Sequence, residues 1–136
     1  MVTRMPGDET LPVRSSRDIV TVRQVVRSWA IELRFNLVEQ TKIVTAASEL
    51  ARNTIDHGGG GTARLQSVRD GGRTGLRLTF EDKGPGIADL NLALKDGYTT
   101  GGGLGLGLSG ARRLSSEFDI ESRPGEGTRV TITRWK

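Results

Sequence analysis

Three residues in one stretch suggest chemistry first. Glu49, Asn53 and Asp56 stand at i, i+4 and i+7 within Thr41–His57, TKIVTAASELARNTIDH. That spacing puts them on one side of a helix. A carboxylate one turn from a carboxamide supplies a candidate base and a candidate metal-binding oxygen on a rigid support. Taken alone, the trio fits a solvated polar face better. His57 is the only histidine and follows Glu49 at i+8. Its plain role is to complement a helix C-terminus, and its alternative is a place beside a bound nucleotide.

Three glycine-rich signals follow in order. In Asp82-Lys83-Gly84-Pro85-Gly86 a carboxylate at a strand end precedes a tight turn whose backbone a ligand can approach. That carboxylate can accept a hydrogen bond from an exocyclic amine such as that of adenine. Taken alone, the pentapeptide fits an ordinary turn with a capping aspartate better. Gly103-x-Gly105-x-Gly107 stands before a helical stretch, where aligned amides can bind phosphate. It lacks the Gly-Lys-Ser/Thr of a Walker A loop and the strand context of a dinucleotide fold. Gly125-Glu126-Gly127-Thr128 is a hairpin turn entering a strand, and the Thr128 hydroxyl could reach a base or a water beside it.

The elements that must position these residues follow from periodicity. Ser15 or Ser16 caps a first helix with Asp18 in its first turn, and Ile19, Val22, Val26, Trp29 and Leu33 recur at helical spacing. Arg34-Phe35-Asn36 interrupts the pattern, and Asn36 with Glu39 forms a capping box for the central helix. Ile43, Ala47, Leu50 and Thr54, widened by Val44, Ala51 and Ile55, make its apolar stripe. Gly58 to Gly61 ends it in a flexible turn. Ala63–Val68 alternates as a strand, Arg69-Asp70-Gly71-Gly72-Arg73 is a hairpin, and Leu76, Leu78 and Phe80 mark the core face of its partner. Ala88–Asp96 suggests a short helix, Gly97–Gly103 a mobile link, and a third helix opens at Gly103 and ends near Ser116. Phe118–Ser122 and Thr128–Trp135 close as two strands. Leu11–Ser15 hints at one more strand, and residues 1–10 read as a flexible tail before a domain at 11–136. The expected fold is α+β, a two-layer sandwich with a mixed, mostly antiparallel sheet and helices on one face.

Composition narrows the function classes. The 19 glycines among 136 residues are roughly twice the usual share, clustered and non-periodic, which suits special loops rather than collagen. With no cysteine and one histidine, thiolate metal sites, multi-histidine zinc sites and disulfides are excluded. The net charge of +4 is dispersed, without the aromatic-laced basic stripe of a nucleic-acid binder, and suits an acidic or phosphate-bearing partner. No apolar run is long enough for a membrane span and no signal-peptide core is present. These features predict a cytoplasmic protein that engages neither nucleic acid nor membrane.

Together, Glu49-x-x-x-Asn53, Asp82-x-Gly84-x-Gly86, Gly103-x-Gly105-x-Gly107 and Gly127-Thr128 resemble the four boxes of the GHKL (Bergerat-fold) ATPase superfamily, which includes gyrase, Hsp90, histidine kinases and MutL. Within it, Asp18-Ile19-Val20, Ser48–Asn53, Glu81–Ile87, Asp96–Gly105 and Gly125–Thr128 resemble the small switch serine/threonine kinases of the RsbT type. The resemblance implies ATP and Mg²⁺ as cofactors. It implies Glu49 as the base that takes the substrate hydroxyl proton, Asn53 as the Mg²⁺ ligand and Asp82 as the reader of the adenine amine. Gly84 and Gly86 would floor the base site with Ile87 beside them, and Gly103, Leu104, Gly105, Leu106 and Gly107 would form the lid over the phosphates. Asp56, His57 and Thr128 would complete the nucleotide contacts. The implied partners are an RsbS-like STAS-domain substrate and an RsbU-like PP2C-type phosphatase activated by binding. The resemblance leaves open an anti-sigma kinase that holds a sigma factor, and a docking module that uses ATP only to hold a shape. The 136 residues contain no acceptor-histidine bundle and no transducer domain, so a histidine-kinase or gyrase-type fragment is the less economical reading.

Overall fold

The computed structural model describes residues 7–87, 89, 93–95 and 107–136. In order the elements are β1 (Asp8–Val13), α1 (Ser16–Glu32), α2 (Leu37–Asp56), β2 (Gly61–Asp70), β3 (Arg73–Asp82), α3 (Gly107–Arg113), β4 (Glu117–Arg123) and β5 (Gly127–Trp135). The sheet has strand order β1-β2-β3-β5-β4. All four pairings are antiparallel, so the expected mostly antiparallel sheet is antiparallel throughout the described residues.

The helices form for the reasons their sequences predict. Ser15 is extended and its hydroxyl accepts from the Asp18 amide (3.4 Å), opening α1. Asn36 and Glu39 make the reciprocal capping box of α2, with Glu39 N donating to Asn36 Oδ1 at 2.8 Å and Asn36 N to Glu39 Oε1 at 3.2 Å. Between them Arg34 takes a left-handed φ of 66°, which turns the chain back within a few residues. Ile19, Val22, Val26, Trp29 and Ala30 of α1 are buried. So are Ile43, Val44, Ala46, Ala47, Leu50, Ala51 and Thr54 of α2. They pack with Ala63, Leu65, Leu76, Leu78, Phe80, Val130 and Ile132 of the sheet in one core. Leu33 caps α1 half-buried rather than lying in its buried stripe.

Three expectations change. The tail expected over residues 1–10 does not extend to Thr10, because Asp8, Glu9 and Thr10 pair with Gln66, Leu65 and Arg64 of β2. The Asp8 carboxylate also pairs with Arg64, and Glu9 accepts from Trp29 Nε1 at 3.0 Å. The first strand therefore starts earlier than Leu11. It also stops at Val13, since Ser15 is committed to the helix cap. The glycine run is more structured than a flexible turn: Gly61 belongs to β2, and Gly59 N and Gly60 N donate to Ile55 O (3.1 Å) and Thr54 O (2.9 Å) to close the end of α2. Both glycines have positive φ, 74° and 105°, where a side chain would be strained. The third helix ends at Arg113, and Ser116 N instead donates to Thr133 O of β5 at 2.9 Å. Its expected start at Gly103, the link from Gly97 and most of Ala88–Asp96 lie outside the described residues, although Ala93 N donates to Asp89 O at 3.0 Å.

Trp135 settles on the outer face of the sheet. Its ring lies 4.3 Å from the Arg73 guanidinium carbon, and its Nε1 donates to Glu117 Oε2 at 2.7 Å. Gly75 stands opposite, where an added Cβ would meet the ring at 2.7 Å.

Candidate functional site

Side chains alternate across a strand, so residues in register share a face. Leu11, Ala63, Phe80, Val130 and Ile120 form one such row on the helix-covered face. Two residues further along each strand, the next row is Val13, Gly61, Asp82, Thr128 and Ser122. On the last three strands the face thus turns from apolar to polar at one end of the sheet, and there the candidate site begins.

Asp82 is the centre of that row. It is half-buried, and its Oδ1 accepts from the Gly84 amide at 2.9 Å, which folds the loop after β3. Thr128 stands directly opposite on β5, a separation of about 4.5–5.5 Å between Cβ atoms for such pairs. The C-terminal end of α2 closes over the carboxylate. A Cβ added at Gly58 would lie 2.2 Å from Asp82 Cγ and 2.4 Å from Oδ2. A Cβ added at Gly84 would lie 2.7 Å from Gly58 Cα. Glycine at both positions lets helix end and loop meet.

The floor is backbone against backbone. Gly86 has φ 77°, and its Cβ would stand 2.1 Å from Arg123 O. Gly127 has φ 92°, and its Cβ would stand 2.2 Å from Asp82 O. Gly125 N donates to Pro85 O at 2.7 Å, joining the β4–β5 turn to the loop. Ile87 is half-buried and its amide donates to Ser122 Oγ at 2.7 Å. The same oxygen lies 2.8 Å from Thr128 Oγ1 and donates to Gly127 O at 3.2 Å.

On α2, Glu49 and Asn53 are half-buried, while Asp56 and His57 are exposed at the helix end. At about 1.5 Å per residue, Asn53 lies about 7.5 Å and Glu49 about 13.5 Å along the axis from Gly58. A carboxylate, a carboxamide and a second carboxylate are therefore met in that order, moving from the sheet end along the helix. Gly107 begins α3 with φ 48°, and α3 packs on α2 through buried Leu108 and Ala111. Gly103, Leu104, Gly105 and Leu106 lie outside the described residues.

Asp82, Gly84, Gly86, Ile87 and Thr128 are thus brought together, with the end of α2 against them. Ser122, Gly58 and Gly61 were not singled out as site residues from sequence, and Gly127 was named only as part of the Gly127-Thr128 box. The signal that finds them is the register: each lies on the polar row or touches it.

No group of three or more His, Cys, Asp or Glu suited to a metal ion occurs among the described residues. A hard cation held by one carboxamide oxygen and by phosphate oxygens matches how Mg²⁺ is bound, since it keeps few protein ligands. Asn53 offers an oxygen donor of that kind.

The family model described as histidine kinase-, DNA gyrase B-, and HSP90-like ATPase matches residues 38–136. The chain belongs to this ATPase family. It is similar to the serine/threonine-protein kinase RsbT of Bacillus subtilis, 47% identical over 131 residues, covering 96% of this chain and 98% of that one. It is also similar to the anti-sigma F factor of Thermoanaerobacter sp., 31% identical over 118 residues, covering 83% and 82%. Within the ATPase family it is an RsbT-like serine/threonine kinase that uses ATP. Among the described residues no helix is long and apolar enough to cross a membrane.

Proposed function

We propose that this kinase transfers the γ-phosphoryl group of ATP to a serine or threonine of an RsbS-like STAS-domain protein in the cytoplasm, and activates an RsbU-like PP2C-type phosphatase by binding it. The observation that carries the reading is likeness to a serine/threonine kinase over nearly the full length of both chains. On this reading the kinase domain starts at β1 rather than at Leu11.

Asp82 accepts a hydrogen bond from the adenine amine, with Oδ1 already fixed by the Gly84 amide. Gly84, Gly86 and Ile87 floor the base, Thr128 flanks it, and Asp56 and His57 lie at its rim. Asn53 holds Mg²⁺ through its carbonyl oxygen. When bound, the ion neutralises charge on the phosphate oxygens. Gly103, Leu104, Gly105, Leu106 and Gly107 cover the phosphates with backbone amides. Glu49 accepts the proton of the substrate hydroxyl as its oxygen bonds to the γ-phosphorus. The bond from that phosphorus to the β–γ bridging oxygen breaks and ADP leaves. Phosphoryl transfer asks the protein mainly for positioning and charge stabilisation, which suits a site built of one base, one carboxamide and many amides.

Likeness to an anti-sigma F factor favours a second reading, a kinase that also retains a sigma factor. The two separate in one experiment. The purified chain is incubated with labelled ATP and Mg²⁺ and with candidate STAS and sigma proteins. Label on a STAS serine or threonine without sigma retention supports the first reading. Sigma retention supports the second, and tight ATP binding with no transfer to any candidate leaves an ATP-dependent docking regulator.

A further inference from the structure

We propose that Ser122 is a positioning residue of the base pocket, one whose hydroxyl locks the Gly84–Ile87 loop and the Thr128 hydroxyl to each other beside Asp82. The inference rests on the adenine assignment of Asp82 made above. A serine hydroxyl has one hydrogen to give and two lone pairs. Ser122 Oγ has three neighbours, which fill that capacity: the Ile87 amide at 2.7 Å, Thr128 Oγ1 at 2.8 Å and Gly127 O at 3.2 Å. One atom therefore ties together the loop after β3, strand β4 and the first residues of β5.

The proton count has a consequence for the base. While Ser122 donates to Gly127 O, the Thr128 proton must point at Ser122, and Thr128 shows only lone pairs to the nucleotide. If Ser122 turns its proton to Thr128, the longer bond to Gly127 is given up, and Thr128 becomes a donor. The pair thus presents either sense of hydrogen bond without moving a heavy atom, and Ile87 stays held in both arrangements. Both Ser122 and Thr128 are half-buried, so water competes only in part for these contacts. Among the described residues the Ser122 hydroxyl bonds neither Glu49 of α2 nor Gly107, the last residue of the phosphate-covering segment. Its effect belongs to base binding and base choice, not to phosphoryl transfer.

The test compares ATP and GTP binding, and transfer at saturating ATP, in wild type, Ser122→Ala, Ser122→Thr and Asp82→Asn. Ser122→Ala should weaken ATP binding about five- to tenfold and reduce the preference for ATP over GTP, with kcat at saturating ATP within about twofold, the effect of one or two lost hydrogen bonds. Ser122→Thr keeps the hydroxyl and should restore most of both losses. Unchanged ATP binding in Ser122→Ala overturns the proposal, as does a kcat loss as large as the binding loss. If Asp82→Asn leaves affinity and preference untouched, the adenine assignment itself is wrong. If it abolishes them while Ser122→Ala does nothing, only Ser122 is misassigned. Should Ser122→Ala fail to fold, hydrogen exchange at the wild-type Ile87 amide decides. Protection without nucleotide supports the lock, and exchange at the rate of an open loop overturns it.

Discussion

Substituting Gly58 by alanine tests the contact between α2 and the base pocket. Gly58 has no positive φ to lose, so the change is steric alone. The new methyl carbon would stand 2.2 Å from Asp82 Cγ, about 1.3 Å inside the 3.5–4.0 Å at which carbon atoms rest. The far end of the Asp82 side chain can yield more easily than a helix end packed in the core. Its carboxylate then swings away and loses the 2.9 Å bond from Gly84 N. Overpacking of this kind costs about 1–3 kcal/mol, and a chain of this length loses about 3–4 °C of Tm per kcal/mol. A fall of about 3–12 °C is expected. Nucleotide binding should suffer more. A lost hydrogen bond to a charged group is worth about 1.5–3 kcal/mol, or about 10- to 150-fold in Kd. Calorimetric titration with ATP beside a thermal melt reads both. A folded Gly58→Ala protein that binds ATP within about twofold of wild type would show that the Asp82 carboxylate does not depend on glycine at the end of α2 to hold the nucleotide.

Two further outcomes follow from the fold. Asn36→Ala removes the capping box of α2 and should cost about 1 kcal/mol by thermal or denaturant unfolding, within the usual range for such caps, with little change in ATP affinity. The Arg64 guanidinium holds the Asp8 carboxyl below its ordinary range. A carboxyl depressed in the folded state stabilises above its unfolded pKa, and the contribution is lost as pH falls through the folded value. Asp8→Asn should therefore melt below wild type at neutral pH, and the two curves should converge in acid below the ordinary carboxylate range. Both groups are exposed, so the gap should be small and should shrink with salt.

The helices were readable because their signals are local. Asn36 and Glu39 meet within one turn, and the stripe from Ile43 to Thr54 needs only a period of 3.6 residues. The hairpin at Gly71-Gly72 was equally local. The first strand was harder. Asp8–Thr10 carries no strand signature and is held by β2 and by Arg64, more than fifty residues away in the chain. Asp82, Gly84, Gly86 and Thr128 could be picked out because their glycine spacing is distinctive. Their assembly into one row could not, since register depends on which strands become neighbours, and β5 inserts between β3 and β4. Ser122 shows the limit most clearly. As a serine near a strand end it is unremarkable, and it gains meaning only when Thr128 and the Ile87 amide arrive from other segments. The glycine run after α2 looked like slack chain because composition reports freedom, whereas Gly58 and Gly61 are needed for close approach.

In the proposed mechanism Glu49 serves ATP-dependent transfer to a protein hydroxyl while Asp82 and its row hold the base. The most direct measurement is transfer of labelled γ-phosphate to a STAS-domain protein by wild type and Glu49→Ala, with ATP binding titrated on the same samples. Glu49→Ala should bind ATP within about threefold of wild type and transfer at least about a hundredfold more slowly, the scale set by loss of a general base. Transfer at the wild-type rate by a correctly folded Glu49→Ala protein would contradict that role.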